Sequence, residues 1–302
     1  MSFECGRLPS AGGKTIFWRV WTPEGAPRAV LQIAHGLGEH SGRYEELACW
    51  LTARGFAVVA SDHMGHGHSD GAPGCFSGGW EAAVEDLRRV ARRCLRRWPG
   101  APLFLLGHSM GSFLVRSLLI ACPNLPLRGA LLSGTAQYPR HGTAALGTVL
   151  AAEAALRGER QPSAAAALTE RLFNLPFGPA ASPWAWVSRD AAQRRAMALD
   201  PLCDTRPALG LQRDMLWGIA FNERPENLAR MRRTLPVLFF SGDQDPVGLM
   251  GRGVRAAAES FRRAGMERVE LRLYPGARHE TLHELCRRQV FTDLTGWMEA
   301  LL

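Results

Sequence analysis

The sequence of 302 residues contains only one lysine, Lys14, although lysine and arginine together number 36. It has no run of about 18 uninterrupted apolar residues, the length that a membrane-spanning helix needs. Its first residues include an early glutamate and lack the basic segment and apolar run of a secretory signal peptide. We therefore expect a cytoplasmic protein without a spanning helix.

The sequence also lacks the cysteine patterns that disulfide frameworks and metal sites need. Its seven cysteines are an odd number, and none belongs to a C-x-x-C pair or to a Cys/His spacing typical of zinc sites. Reduced cysteines that behave as small apolar residues fit a cytoplasmic protein. We predict free thiols, mostly in the core, at positions 5, 49, 75, 94, 122, 203 and 286.

Positive charge is in excess, with a formal net charge of +8, and arginine supplies nearly all of it. The densest cluster lies in the stretch 80–98, where apolar residues recur at helical spacing on one face. Contact with nucleic acid or an anionic membrane is one interpretation, and a solvated helix back is the other. Because aromatic residues do not alternate with the arginines, we favour the solvated back and expect no nucleic-acid partner.

Short apolar runs alternate with stretches of helical spacing along most of the chain. The runs predict strands at 14–21, 29–34, 55–60, 102–106, 127–133, 236–241 and 269–274. The other stretches predict helices at 43–54, 80–98, 251–264 and 283–302. This alternation is typical of an α/β fold with a mostly parallel sheet that helices cover on both faces.

Residues 136–222 interrupt this alternation of predicted strands and helices. They show no convincing strand pattern and are rich in alanine, proline and aromatic residues. Because this stretch is too long for an unstructured loop, we predict a helical cap between two core segments, 1–135 and 223–302. An apolar insertion at the carboxyl edge of the sheet would cover the site as a lid, whereas a helical pack that only adds stability is the alternative. We assign three of its tryptophans to substrate binding: Trp184, Trp186 and Trp217.

The pentapeptide Gly107-His108-Ser109-Met110-Gly111 is the most informative motif of the chain. It has the form G-x-S-x-G and lies between an apolar run, 102–106, and an amphipathic stretch, 112–120. In such a strand–turn–helix the serine is strained and its hydroxyl accessible, and the flanking glycines let strand and helix approach. We predict that Ser109 is a nucleophile, with an ordinary glycine-flanked turn as the alternative.

A serine nucleophile needs a base, and the base needs an acid that orients it. Among nine histidines, His279 follows the predicted strand 269–274 and comes after the acid candidates, which matches the Ser–Asp–His order of this topology. His283 is predicted to lie on a helix surface. His108 is beside the serine and cannot readily fold back onto its hydroxyl, so we assign it to substrate binding.

Two aspartates follow the predicted strand 236–241 and are candidates for the acid. Asp245 lies three residues beyond Gly242 and precedes Pro246, where the next loop would begin. Asp243 is better placed to cap or brace the turn. The position favours Asp245, with Asp243 as the alternative, and part of this preference comes from the family resemblance described below.

Acyl transfer also needs two backbone N–H donors for the developing oxyanion. We expect one from Met110, directly after the serine. The other is expected from the glycine-rich loop 35–40, and we choose Leu37. Because the glycines let this loop pass close to the substrate, His35 and Gly36 are assigned to substrate binding.

A second histidine-rich loop, 62–70, has the carboxylates and imidazoles of a metal cluster. The glycines between them are typical of a structured loop, and no separate residues stand out that would orient metal ligands. We predict a hydrogen-bonded loop beside the site, and we expect neither a metal nor an organic cofactor.

These motifs together resemble the α/β-hydrolase superfamily, and within it the bacterial branch of the monoacylglycerol lipase and lysophospholipase-like group. The resemblance implies an eight-stranded sheet, a Ser109–Asp245–His279 triad and the oxyanion donors named above. It implies hydrolysis of a carboxylic ester with a single acyl chain through an acyl-enzyme. It covers nearly the whole chain and rests on the segments 35–44, 62–69, 107–111, 173–177, 186–190, 200–203, 241–247 and 274–280.

Other functions of such a site remain open at this stage. The same triad would serve a short-chain carboxylesterase, a peptidase or an acyltransferase, and a ligand-binding protein could reuse the fold without catalysis. Dehalogenases and epoxide hydrolases of this fold need an aspartate in place of Ser109. The expected partner is a small acyl ester or lipid, with transient membrane-surface contact through the cap as a further hypothesis.

Overall fold

The protein, seen in a computed structural model, is described over residues 1–178, 181–203 and 206–302. Eight strands form one sheet in these residues: β1 (Ser2–Pro9), β2 (Thr15–Thr22), β3 (Ala29–Ala34), β4 (Phe56–Ser61), β5 (Leu103–His108), β6 (Leu127–Ser133), β7 (Val237–Gly242) and β8 (Val269–Tyr274). Their order in the sheet is β1-β2-β4-β3-β5-β6-β7-β8. β2 pairs antiparallel with β1 and β4, and the remaining pairs are parallel. The predicted α/β-hydrolase architecture is confirmed.

Ten α-helices occur in the described residues: α1 (Glu45–Thr52), α2 (Gly79–Arg97), α3 (Met110–Ala121), α4 (Arg140–Arg157), α5 (Ala164–Asn174), α6 (Ala191–Leu199), α7 (Leu209–Asn222), α8 (Pro225–Leu228), α9 (Arg252–Arg263) and α10 (Arg287–Glu299). Among these, none is both long enough and apolar enough to cross a membrane.

The core lies in two layers, one on each face of the sheet. Alternate residues of a strand point to opposite faces, so Phe239 packs in the layer of α2, α3 and α9, while its neighbour Phe240 packs in the layer of α1 and α10. Strands β3, β4, β5 and β7 are buried along their whole length. This two-sided burial explains why they read as continuous apolar runs in the sequence.

Helices α4 to α8 lie between β6 and β7. α7 packs against α3 and α4, and the described part of this region adds one isolated bridge between Pro162 and Ala208. The insertion therefore enters directly after β6, at the carboxyl edge of the sheet.

Several arginines on the back of α2 have partners within the chain. Arg88 pairs with Glu85, Arg97 pairs with Glu4, and Arg93 stacks over the ring of Trp18 at 4.8 Å. These contacts agree with a solvated helix back.

Three expectations differ from the structure. β1 was not predicted, because nearly all of its side chains are solvent-exposed and it is held by backbone pairing with β2. The last helix begins at Arg287 rather than at residue 283, because Thr281–His283 forms a separate 3-10 turn. All seven cysteines are free thiols, but only Cys94 and Cys203 are buried, so the prediction of mostly core cysteines was wrong.

Candidate active site

Ser109 occupies the sharp turn between β5 and α3. Its backbone has φ 50° and ψ −120°, a conformation that non-glycine residues rarely adopt. The turn is tight because a Cβ at Gly107 would lie 2.5 Å from the carbonyl oxygen of Gly111, and a Cβ at Gly111 would lie 2.1 Å from that of Ala34. Only glycine fits both positions, so the motif itself creates the strained and accessible serine.

His279 and Asp245 form a buried pair on the loops that follow β8 and β7. Nδ1 of His279 lies 3.0 Å from both carboxylate oxygens of Asp245. The carboxylate also accepts hydrogen bonds from the Ser241 hydroxyl at 2.8 Å and the Val247 N–H at 2.9 Å. These donors fix the carboxylate, and the carboxylate fixes the plane of the imidazole.

The electrostatics of this pair keep the aspartate ionised. Burial alone would raise the pKa of Asp245, but the adjacent His279 and the hydrogen-bond donors lower it below its usual value. Burial alone would lower the pKa of His279, but Asp245 raises it above its usual value. A proton on Nδ1 is held by the carboxylate, which leaves Nε2 as the basic nitrogen.

The alternative acid has a different partner. Oδ1 of Asp243 accepts a hydrogen bond from the backbone N–H of Gly276 at 2.8 Å and so braces the turn after β8. Of the two sequence candidates, Asp245 is thus the one that contacts the imidazole.

The imidazole and the serine share one cavity of about 360 Å³. The ring of His279 lies 4.9 Å from the ring of His108 and 5.2 Å from that of Trp186, between centroids. A Cβ at Gly134, which has φ 57°, would lie 2.8 Å from Cε1 of His279. The imidazole is therefore held on several sides, and its access to Ser109 is through the cavity.

The loop after β3 and the first residue of α3 both contribute to the wall of the same cavity. Leu37 and Met110 both line it. Met110 is the first residue of α3, so its N–H has no acceptor within the helix and lies at the positive end of the helix dipole. The loop approaches the serine closely, since a Cβ at Gly36 would lie 3.2 Å from the Cβ of Ser109.

A buried ionic network, not predicted from the sequence, joins this loop to the loop of the base. Arg43 donates to Glu39 at 2.8 Å and, through both terminal nitrogens, to Glu280 at 2.7 and 2.6 Å. Glu39 also accepts from the N–H of Gly36 at 2.6 Å. The prediction that His283 lies on a helix surface was wrong, because its side chain is buried and Nε2 contacts the carbonyl oxygen of Arg43 at 2.9 Å.

Four of the six predicted substrate-binding residues line the cavity, and two do not. Gly36, His108, Trp184 and Trp186 line it, together with mostly apolar side chains of α4, α5 and α7. The other two predictions are corrected. His35 is fully buried behind the loop and bonds to Gly36 and His63 instead. Trp217 is 47% exposed and stacks on Phe221 outside the cavity.

The histidine-rich loop 62–70 is held by hydrogen bonds, as predicted. Asp62 accepts from the N–H groups of Ser41 and His68 at 2.7 and 2.8 Å. Burial lowers the pKa of His63 to about 4, so this imidazole is neutral. Its Nε2 contacts the carbonyl oxygen of His35 at 3.0 Å, which leaves the side chain engaged within the loop.

One side-chain group has the composition of a metal site, namely His40, Asp200 and Cys203, whose candidate ligand atoms lie within 4.8 Å of one another. Nδ1 of His40 accepts a hydrogen bond from the N–H of Gly42 at 3.1 Å. The proton therefore resides on Nε2, which donates to Asp200 at 2.9 Å. A metal would need that nitrogen unprotonated, so the arrangement fits a hydrogen bond between the core and the insertion better than a metal.

Comparison with known proteins agrees with this geometry. The chain is 32% identical to a monoacylglycerol lipase of Mycolicibacterium smegmatis, over 95% of this chain and 94% of the relative. It is 31% identical to the human monoglyceride lipase, over 96% of this chain and 89% of the relative. A solved carboxyl esterase from Bacillus coagulans superposes with a TM-score of 0.87 at 27% identity, covering 100% of this chain and 99% of that one. The resemblance to the monoacylglycerol lipase group is thus confirmed.

Residues 25–286 match the family described as serine aminopeptidase, S33. The match covers most of the chain and includes every residue of the candidate site. The chain therefore belongs to this family, Hydrolase_4, of the α/β-hydrolases.

Proposed function

We propose that this serine hydrolase cleaves carboxylic esters of single-chain acyl lipids, with monoacylglycerol as its substrate class. One observation carries the proposal: an accessible, strained Ser109 and a buried Asp245–His279 pair meet at a single, mostly apolar cavity. Nucleophile, base and acid occur in the chain order and at the strand ends that a hydrolase of this topology requires.

The reaction proceeds in two halves. Oγ of Ser109 attacks the ester carbonyl carbon while Nε2 of His279 accepts its proton, and the C–O bond to the alcohol then breaks as His279 returns the proton to the leaving oxygen. Water next attacks the acyl-serine with His279 as base, which releases the fatty acid and regenerates Ser109. Asp245 holds Nδ1–H and stabilises the imidazolium in both halves.

The oxyanion that forms in each half receives hydrogen bonds from the N–H groups of Leu37 and Met110. This assignment is supported by their place on the wall of the cavity that Ser109 also lines. The loss of one such donor typically costs roughly 3–4 kcal/mol of transition-state stabilisation. Glu39 supports the first donor indirectly, because it holds the neighbouring N–H of Gly36.

The cavity supports a lipid substrate. Its volume of about 360 Å³ is within the range of sites that enclose a small ligand. Leu146, Leu150, Phe173, Leu216 and Ile219 supply apolar walls from the insertion, which an acyl chain would contact without loss of hydrogen bonds. The two relatives named as monoacylglycerol and monoglyceride lipases support the same substrate class.

A general short-chain carboxylesterase is the second candidate, because the Bacillus coagulans esterase shares the fold over the whole chain. The two functions predict different chain-length profiles. Hydrolysis rates should be measured for monoacylglycerols and nitrophenyl esters of two to eighteen carbons, with lysophosphatidylcholine beside them. A maximum at long-chain monoacylglycerols supports the proposal, and a sharp preference for acetyl or butyryl esters would overturn it in favour of the esterase.

The nucleophile is tested separately from the substrate. A fluorophosphonate should add one adduct mass, located at Ser109 by peptide mass spectrometry, and Ser109→Ala should remove both the adduct and the activity. Ser112→Ala is a matched control, because the Ser112 hydroxyl donates to the backbone carbonyl of Ser109 and the residue is not part of the cavity wall. Full activity of Ser109→Ala would sink the mechanism.

We further propose that residues 136–222 form a cap that contacts lipid surfaces while the enzyme works in the cytoplasm. Large apolar side chains are exposed on α4, α5 and the turn that follows: Val149, Leu156, Leu168, Leu172 and Leu175. Such a surface would bind vesicles through apolar contact, largely independently of salt. Co-sedimentation with phosphatidylcholine vesicles tests this. Binding that is abolished by salt at about 1 M, where the Debye length is about 3 Å, would assign the contact to arginines instead.

A further inference from the structure

The loop 245–251, called the acid loop below, is strained. Leu249 and Met250 both have φ 53°, in the left-handed region that residues with a Cβ rarely occupy. Such a conformation persists only where neighbouring contacts enforce it. The shape matters to the site, because the N–H of Val247 in this loop donates to the carboxylate of Asp245 at 2.9 Å.

A second segment, 135–138, lies against the acid loop and is called the brace segment below. The hydroxyl of Tyr138 donates to the carbonyl oxygen of Val247 at 3.0 Å. The N–H of Gln137 donates to the carbonyl oxygen of Gly253, directly beyond the acid loop, at 2.9 Å. The brace segment thus holds both the middle of the acid loop and the start of α9.

The brace segment is itself anchored from two directions. Arg116, on the helix that follows the serine, is wholly buried and donates to the carbonyl oxygen of Ala136 at 2.8 Å. The guanidinium is enclosed by the rings of Phe113 and Phe261. The N–H of Tyr138 donates to the carboxylate of Glu223, at the end of α7, at 2.8 Å. Tyr138 is therefore presented to the acid loop by a rigid support.

We propose that Tyr138 is a positioning residue for the catalytic acid. Its hydroxyl holds the carbonyl oxygen of Val247 and so fixes the backbone of that residue. The N–H of Val247 holds the carboxylate of Asp245, and Asp245 orients His279. The inference rests on the proposed triad. It adds to the triad a fourth side chain, which acts through the acid and not on the substrate. The ring of Tyr138 also lines the cavity, so its hydroxyl and its ring have separable roles.

Tyr138→Phe removes the hydroxyl and keeps the ring. We expect kcat on a monoacylglycerol to fall about tenfold while KM changes little, because a small displacement of a catalytic group is costly. The acidic limb of the kcat/KM profile should move to lower pH, since a looser Asp245 raises the pKa of the base less. The other charged and titratable groups that face His279, namely Glu39, Glu280 and His108, stay in place. The downfield proton resonance of Nδ1–H should broaden or shift.

Tyr274→Phe is the matched control among the three tyrosines of the chain. Its hydroxyl is likewise partnered, donating to Asp293 on α10 at 3.1 Å, but lies outside the site. We expect this variant to keep kcat, the pH limb and the Nδ1–H resonance.

Three results would overturn the proposal: Tyr138→Phe with unchanged kcat and pH limb, a rise in KM alone, or equal losses of kcat in both variants. The triad itself is tested independently by the fluorophosphonate adduct at Ser109. Failure of that labelling removes the proposed function, whereas intact labelling with an unaffected Tyr138→Phe removes only the positioning role.

Discussion

Asp245→Asn preserves the size of the side chain and removes its charge. In the structure the carboxylate accepts hydrogen bonds from the Ser241 hydroxyl, the Val247 N–H and Nδ1 of His279. An asparagine has one acceptor oxygen, and its amide group is a donor. The N–H of Val247 can only donate, so it would retain the oxygen at the Oδ1 position. The amide group would then take the Oδ2 position, where the Ser241 hydroxyl can turn to accept from it. There it would face Nδ1 and favour the tautomer with the proton on Nε2. Nε2 would then be unable to accept the proton of Ser109.

The size of the effect on kcat follows from the wrong tautomer of His279 and from the lost negative charge of Asp245. A wrong tautomer and an unstabilised imidazolium together typically lower kcat by about 10⁴-fold, equivalent to roughly 5.5 kcal/mol of transition-state stabilisation. The pH profile should also change. His279 must be neutral to act as a base, so kcat/KM falls as the pH drops through its pKa, which Asp245 raises. Without that charge, burial lowers the pKa of His279, and the acidic limb moves to lower pH.

The assay is the steady-state hydrolysis of a monoacylglycerol between pH 4 and 9, at concentrations that define kcat and KM separately. Asp243→Asn is the matched control, because an asparagine oxygen can still accept the hydrogen bond from Gly276. We expect the control to retain activity within about threefold. Activity of Asp245→Asn within about tenfold of the unmodified enzyme, or a larger loss in Asp243→Asn, would refute the assignment of the acid.

Two further predictions concern the cavity and the ionic network. Trp186→Ala should raise KM severalfold, because this ring lines the cavity beside the base. Trp217→Ala should leave KM within about twofold, because this ring lies outside the cavity. Equal changes of KM in steady-state assays of the two variants would contradict this. Arg43→Met leaves Glu39 and Glu280 buried without their cation, so the free energy of unfolding should fall by about 3–5 kcal/mol. Urea denaturation measures this loss, and a change below about 1 kcal/mol would contradict it.

The parts of the site that depend on local backbone geometry were predictable from the sequence. Ser109 owes its conformation to its own turn and to two flanking glycines, all within five residues. The buried strands were equally predictable, because a strand that is buried on both faces consists of consecutive apolar residues. β1 could not be predicted for the opposite reason. Its side chains are mostly exposed, so the strand has no apolar pattern and is defined by its backbone pairing with β2.

The parts that depend on long-range contacts were not predictable. The sequence placed Arg43 in a motif but gave no indication that its partner Glu280 lies 237 residues away. His35 and Trp217 were assigned to the cavity from residue type and neighbourhood, yet one points behind its loop and the other outward. A shift of one residue along a helix turns the side-chain direction by about 100°, and residue type alone does not fix that direction.

This division has a consequence for how the insertion affects catalysis. Ser109 is fixed by its own turn, but the loops of the acid and the base are held by contacts with other segments. Tyr138, which contacts the acid loop, lies two residues before the start of α4. The N–H of Glu280, beside the base, donates to the carbonyl oxygen of Val187 in the insertion at 2.8 Å. A displacement of the insertion is therefore transmitted directly to the loops that carry Asp245 and His279. Changes in the insertion should alter kcat and the pH dependence as well as KM, and they should slow the labelling of Ser109, because the serine needs His279 as its base.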